Sequence, residues 1–503
     1  MYLTNHLSVF SKFWRKPTAM ALLSVVFLAS CDSSSDEDDT TGALRFYNLS
    51  SNSPAIFLTI DEDLSEDDDD TFENTYSGVN FTQLSASTSI NTGNYFYEIA
   101  FQDEDSKYRE DLNIILEGDV SIEKEATKLM VLTGDINAPA IVTYSIPVID
   151  DDNDDEDDLF NLRVLNMHPS TDVASIYLSK DDETFNEAQL IGEFTNQELS
   201  DNQKFEQDSY IFYLADPVTQ EVVYQSDEIS FLYASQYIMV IRENTATGDS
   251  PYTLDKISNS AIVEYIDVDS ASKIRAYNAI ESHDLIPEYQ GNIELTLNSV
   301  DSSVTTNSFA FGEFSETLVQ ENGDYSINIV MPESEQALIT NHLLTLPDNS
   351  DKTVFFYLTE TNVDDDGDGD FDENNDGIID EVEVSVNSLV IENSNDASIY
   401  DHKVTLINLI NTDDFDFVRF YFVRSNEMIS TTPYKHLVSY AQPSTVTLLN
   451  NTYKVYVVAE DNSSEIILHS FELILDEASN AQYLILQDDD STASGYRISL
   501  ADQ

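Results

Sequence analysis

The sequence predicts an all-β protein of four tandem immunoglobulin-like antiparallel β-sandwich modules, preceded by a cleaved N-terminal segment. Three observations carry this. One strand opening recurs four times along the 503 residues. Period-two strands separated by turn residues every 8–12 positions fill each interval, as in sandwiches. Helical periodicity is almost absent.

The N-terminal segment comes first. Lys12, Arg15 and Lys16 precede the apolar stretch Ala19–Ser30, with no acidic residue before Asp32. A basic region, a short apolar core and small residues at the cut describe a secretory signal. The apolar run is shorter than the roughly twenty residues a spanning helix needs. Leu28-Ala29-Ser30-Cys31 resembles the lipobox of bacterial lipoproteins. That resemblance implies cleavage of a lipoprotein signal peptide (1–30) and covalent lipid on Cys31, the only cysteine. Membrane attachment through this lipid is therefore expected. No cysteine is left for a disulfide, so packing must hold the fold.

An acidic tether (31–42) leads to module 1 (43–149), an acidic linker (150–158), module 2 (159–269), module 3 (272–400) and module 4 (402–503). The modules open on Leu44-Arg45-Phe46-Tyr47-Asn48, Leu162-Arg163-Val164-Leu165-Asn166, Ile274-Arg275-Ala276-Tyr277-Asn278 and Val404-Thr405-Leu406-Ile407-Asn408. The asparagines recur at intervals of 118, 112 and 130 residues. At a strand end, an asparagine amide can bond nearby backbone and terminate the strand. An alternating strand follows each opening (Ile56–Ile60, Ile176–Leu178, Ile293–Leu297, Val418–Phe422). Mid-module, Gly78–Phe81 aligns with Gly192–Phe194 and Gly312–Phe314, and more weakly with Val438–Tyr440. Tyrosine-led strands come next, at Tyr95, Tyr210, Tyr325 and Tyr453. Late apolar strands close each copy: Leu129–Leu132, Tyr237–Ile241, Val354–Leu358 and Tyr483–Leu486. The chain has only 14 glycines, so the turns rely on Asn and Asp.

These copies resemble the bacterial envelope family called domain of unknown function 4397. The resemblance rests on Arg45 to Asn48, Ser53-Pro54, Arg163 to His168-Pro169 and Gly192-Glu193-Phe194. It is loosest in module 4, where Thr405 replaces the arginine. It implies an immunoglobulin-like fold and no catalytic residues.

Ninety-five acidic residues against 22 basic ones give a formal net charge of −73. A field of that sign repels nucleic acid and anionic membrane surfaces. The run Asp150–Asp158 is expected to stay solvated and extended, and the short connections at 269–272 and 399–402 predict a stiffer rod of modules 2 to 4. Asp61–Asp70 reads as an acidic surface loop.

The longest interval contains an insertion, 364–383, whose second half matches a twelve-residue calcium loop. Asp372, Asn374 and Asp376 hold positions 1, 3 and 5, and Gly377 gives the sharp turn. Ile378 offers its carbonyl, Asp380 sits at position 9 and Glu383 at position 12. Hard Ca²⁺ takes six to eight oxygens, which alternating carboxylates provide. An overlapping loop uses Asp364, Asp366, Asp368 and Asp372 but has Asn375 at position 12, so it should bind more weakly. Strands flank the insertion, which therefore resembles the aspartate-rich loops of thrombospondin type 3 repeats rather than an EF-hand. A structural Ca²⁺ is the expected cofactor.

Six histidines beyond the signal (His168, His283, His342, His402, His436, His469) form no metal-binding spacing, and each is expected at the surface or half buried. There is no nucleophile elbow and no phosphate-cradling glycine loop. The expected function is non-enzymatic: a lipid-anchored cell-envelope protein of binding or adhesion type, its partner an unknown envelope protein or glycan. The alternative is a structural spacer or accessory subunit. The outer membrane or cell surface is favoured over the inner membrane. Phe57, Tyr177 and Tyr421 are candidate exposed aromatics, expected mainly to fill strand faces. The single tryptophan, Trp14, falls in the signal segment, which disfavours sugar stacking on tryptophan.

Overall fold

In the first quarter of the chain, eight strands build two sheets. They are β1 (Thr41–Asn48), β2 (Ile56–Asp61), β3 (Glu73–Val79), β4 (Thr88–Asn91), β5 (Gly93–Phe101), β6 (Asn113–Ile122), β7 (Ala126–Thr133) and β8 (Ala140–Pro147). One sheet runs β4-β1-β7-β8 and the other β3-β2-β5-β6. A computed structural model of the chain describes residues 40–62, 72–103, 106, 108–149, 158–171, 173–248, 250–300, 302–363, 371, 379, 381–412, 415, 417–461, 464–489 and 491–503.

The same plan recurs in the other three quarters, giving eight sheets in all among the described residues. The chain is thus all-β, a series of two-sheet sandwiches, with two single 3₁₀ turns among the described residues, Arg109–Asp111 and Phe185–Glu187. The architecture is immunoglobulin-like, but the strand order is not that of an immunoglobulin constant domain. The sheets are also not wholly antiparallel. β1 runs parallel to β7, and parallel pairs recur between Leu159–Asn166 and Gln236–Glu243, Ser272–Ala279 and Asp351–Asn362, and Asp401–Asn408 and Gln482–Asp488.

The reason lies in what covers these paired strands. Parallel pairs are found mostly where both faces of a sheet are buried, and here both are. In β1, Leu44 and Phe46 enter the core of their own sandwich, together with Ile56 and Leu58 of β2. Tyr47 points the other way, into a second cluster with Leu129, Val131 and Ile146 from module 1 and Leu165, Met167, Ile238, Val240 and Ile257 from module 2. Modules 1 and 2 therefore pack face to face. Modules 3 and 4 do the same through Tyr277, Phe355, Tyr357, Ile407, Tyr483 and Ile485.

This corrects the expected arrangement of a separate module 1 and a rod of modules 2 to 4. The chain forms two pairs, and residues 41–503 make one compact unit. Apolar burial between the facing sheets outweighs the repulsion that the acidic linker suggested, since charges beyond about 10 Å are screened at 0.1 M salt. The pairs also touch each other. The rings of Phe101 and Tyr400 stack at 4.2 Å. Asn244 and Asn349 exchange amide hydrogen bonds of 3.2 Å.

The strand-end asparagines are fully buried. The Oδ1 atoms of Asn48, Asn166, Asn278 and Asn408 accept from the N–H two residues on, at 3.0, 3.1, 3.0 and 3.1 Å. Three of the amides also donate across the sandwich: Asn48 to Val79 O (3.0 Å), Asn166 to Phe194 O (3.1 Å) and Asn278 to Phe309 O (3.4 Å). Each carbonyl of this asparagine quartet receives an N–H from a residue with positive φ: Thr82, Gln197, Gly312 and Ala441. The shared turn position is therefore 82/197/312/441. The glycines at 78 and 192 lie four and five residues before it, so the glycine–aromatic segments do not align as expected. Only module 3 places its glycine at this left-handed position.

Candidate binding sites

Cys31 lies outside the described residues, as do Asp364, Asp366, Asp368, Asp372, Asn374, Asp376, Ile378 and Asp380. Glu383 is described. It is exposed near the start of strand Val382–Glu392, paired in register with Thr361 of Asp351–Asn362. The insertion thus connects the two arms of a β-hairpin. Among the described residues, no group of three or more His, Asp or Glu side chains converges to hold a metal. No helix among them is long and apolar enough to cross a membrane.

Two histidines depart from the surface or half-buried expectation. His168 is buried and its Nε2 lies 3.1 Å from Pro251 O, while Nδ1 is 2.9 Å from Thr171 Oγ1. Burial holds its pKa below the usual imidazole value. His402 is also buried, with Nε2 2.6 Å from Asn450 Oδ1. Both are satisfied structural groups. Of the aromatic candidates, Phe57 and Tyr177 are half buried, and Tyr421 is buried against Val423 and Val458.

The interface between modules 1 and 2 contains a polar lock. Tyr47 Oη donates to Asp255, and Arg242 grips the same carboxylate through Nε at 2.6 Å and Nη2 at 3.3 Å. Arg242 and Asp255 are 4% and 1% exposed, and Arg242 also pairs with Glu264, so removing Arg242 would strand the buried Asp255 carboxylate. Burial and the Asp255 carboxylate push the Tyr47 phenol well above its ordinary pKa. Modules 3 and 4 repeat the device with uncharged groups at the centre. Tyr277 Oη lies 2.6 Å from the Gln487 amide, whose other end meets Arg497 Nη2 at 2.7 Å.

Several cavities open between modules, and two of them bear on binding. The larger, about 480 Å³, opens where the pairs meet. Its walls come from the module 1 turn Asn80–Gln83, from Arg242 and Asn244–Ala246 of module 2, and from Asn393–Asp396, Lys403 and Thr447 on the second pair. Lys403 is paired with Asp396 at 3.2 Å, and the Arg242 guanidinium lies 6.0 Å from the centre of the Phe81 ring. Charges here are mostly answered, and Asn244 and Asn393 are held by hydrogen bonds within the protein, so the amides of Asn80, Gln83 and Asn395 and the Phe81 ring are the recognition groups. The smaller cavity, about 280 Å³, lies between modules 1 and 2 and is lined by Arg45 and Arg163. Nothing in a single module's sequence marks either cavity, because each needs two or more modules.

No protein-family model and no curated protein matches the chain. Among solved structures, the Bacillus anthracis TIE protein aligns over 91% of this chain and 76% of its own, at 8% identity and a TM-score of 0.14. The pilus adhesin SpaC of Lactobacillus rhamnosus GG aligns over 89% of this chain and 56% of its own, at 9% identity and 0.16. The tip fimbrial protein Mfa3 of Porphyromonas gingivalis aligns over 70% of this chain and 99% of its own, at 8% identity and 0.11. TM-scores this small do not establish a shared overall structure, and no property of those proteins transfers to this chain.

Proposed function

We propose that the chain is a non-enzymatic binding protein of the bacterial cell envelope, lipid-anchored through Cys31, with a glycan as its partner. The observation that carries this is the cleft of about 480 Å³ at the junction of the module pairs. Its size falls within the range of small-ligand sites. Asn80, Asn395 and Gln83 offer both donors and acceptors, which suits sugar hydroxyls, and Phe81 offers an apolar face in place of tryptophan. The loop 364–383 carries a structural Ca²⁺ in this reading, and the outer membrane or cell surface is the site of display.

The soluble protein 41–503 should bind one class of envelope or host glycan saturably on a glycan array. Phe81→Ala with Asn80→Ala should weaken that binding at least tenfold while leaving the melting temperature within a few degrees. Absence of saturable binding to any glycan would favour the second reading, a spacer. That alternative is supported by the interlocked module pairs, which give the chain a defined thickness. Cys31→Ser in the full chain should release the protein from membranes.

A further inference from the structure

The second residue of each module opening is Arg45, Arg163, Arg275 or Thr405. Strand alternation turns this position, like Tyr47 and Tyr277, away from the module's own core and toward the partner module. In the pair of modules 1 and 2, two arginines therefore meet at one interface, and both line the 280 Å³ cavity.

Their surroundings are unusual for a chain of net charge −73. Arg45 is 8% exposed. Among the described residues, its guanidinium donates only to the carbonyl of Ser258, across the interface, and Arg163 donates only to Ser200 O, at 2.8 Å. The Nε atoms of both are buried with no hydrogen-bond partner. No carboxylate among the described residues makes an ion pair with either. Asp201, the carboxylate that acts on Arg163 from nearby, is itself exposed. A buried cation is normally paired, because desolvation is costly. Among the described residues, the buried Arg45 and the half-buried Arg163 thus face one cavity without an ion-pair partner, which marks a place for an anion.

The pair of modules 3 and 4 supplies the comparison. There Arg275 donates from Nε to Thr353 Oγ1 at 3.2 Å and lies 4.4 Å over the Phe314 ring. Opposite it, Thr405 takes the fourth position and accepts a hydrogen bond of 2.9 Å from the Gln503 side chain. The same interface geometry, with one arginine fewer, satisfies itself internally. A cavity lined by two arginines is thus particular to the first pair.

We propose that the cavity between modules 1 and 2 binds a small organic carboxylate, held by Arg45 and Arg163. A guanidinium fork matches a carboxylate in two-point geometry. Asn202 and Gln236 line the same cavity; their amide nitrogens donate to Asn161 Oδ1 at 2.7 Å and Pro147 O at 3.0 Å and each keeps a second N–H, while Leu129, Ile146, Ile238 and Ile257 form walls suited to a short hydrocarbon body. The long-range acidic field opposes entry. It is screened beyond about 10 Å at 0.1 M salt, whereas the guanidinium groups act at contact in a partly desolvated site. The ligand would bridge the two modules, so binding stabilises their pairing. This site is separate from the glycan cleft and does not depend on it.

The test uses protein 41–503 with sodium benzoate and sodium hexanoate as probes, and with benzamide as the neutral isostere of benzoate. Glucuronate is a further arm, distinguishing an acidic sugar residue from a free carboxylic acid as the source of the carboxylate. Calorimetric titration should show about one carboxylate bound per chain, and 10 mM should raise the melting temperature by several degrees, with no response to benzamide. Arg163→Lys keeps the charge but loses the fork, and should weaken binding at least tenfold. Arg45→Gln combined with Arg163→Gln should abolish it. An equal response to benzamide, or no carboxylate binding by the unaltered protein, overturns the proposal whether or not the variants fold.

Discussion

At the scale of single residues, the strand-end asparagines do the most with the least exposure. Asn48 closes a tight turn through Oδ1 and links the two sheets through Nδ2, which donates to Val79 O at 3.0 Å and Ser53 Oγ at 2.8 Å. Alanine here would leave the Ser50 N–H and the Val79 carbonyl without those partners in a dry site. Each buried group left unsatisfied costs about 1–3 kcal/mol, so Asn48→Ala and Asn166→Ala should each lower stability by about 2–4 kcal/mol in urea unfolding. Asn48→Asp keeps the acceptor but buries a carboxylate and sets an oxygen against the Val79 carbonyl, so it should cost at least as much as the alanine variant. A loss below about 0.5 kcal/mol for the alanine variant would mean that the sandwich does not depend on this bridge. The structural role was legible in the sequence because an asparagine at the end of an apolar strand has few other uses. Its reach to the opposite sheet was not, since Val79 is thirty-one positions away. The arginine three residues earlier was legible as a motif only. Its cavity depends on a second module lying opposite.

At the scale of the elements, the strands themselves were readable from alternation and turn residues, while their pairing was not. Local pattern fixes which face of a strand is apolar but does not name its neighbour. The late strands did carry a usable signal. Leu129-Met130-Val131-Leu132 does not alternate, and in β7 Met130 and Leu132 enter the module's own core while Leu129 and Val131 enter the interface. An unbroken apolar run in a four-residue strand segment therefore meant that both faces were covered. The glycine–aromatic alignment misled for the opposite reason. A left-handed turn position accepts Thr82, Gln197 or Ala441 when surrounding hydrogen bonds hold it, so glycine was a poor marker of equivalence. The hairpin of Asp351–Asn362 and Val382–Glu392 carries the proposed calcium loop between its arms. Millimolar Ca²⁺ should raise the melting temperature of 41–503, because the ion offsets repulsion among crowded carboxylates. Asp376→Ala should remove most of that rise, and Mg²⁺ should not replace it. A melting temperature that ignores Ca²⁺ would reduce the loop to a solvated acidic tip.

At the scale of the whole molecule, pairing changes what counts as a folding unit. Each sandwich has its own core, yet module 1 alone would expose Tyr47, Leu129, Val131 and Ile146 on one sheet face. Contiguous apolar surface of that kind drives association or destabilises a monomer. Fragment 41–269 should therefore unfold in a single cooperative transition, while fragment 41–149 should either self-associate or melt well below it. Val240→Asp in the full chain would bury a charge opposite that face, at a cost of several kcal/mol. It should open the first pair and leave the second intact, because the second is held by a separate cluster centred on Phe355 and Tyr483. Hydrogen exchange would resolve the two outcomes. Protection should fall in β1, β7 and Gln236–Glu243 of the variant, with Asp351–Asn362 and Gln482–Asp488 unchanged. Uniform loss of protection would mean that the two pairs unfold as one. A monomeric fragment 41–149 as stable as module 1 within 41–269 would mean instead that the face-to-face contact adds nothing to stability.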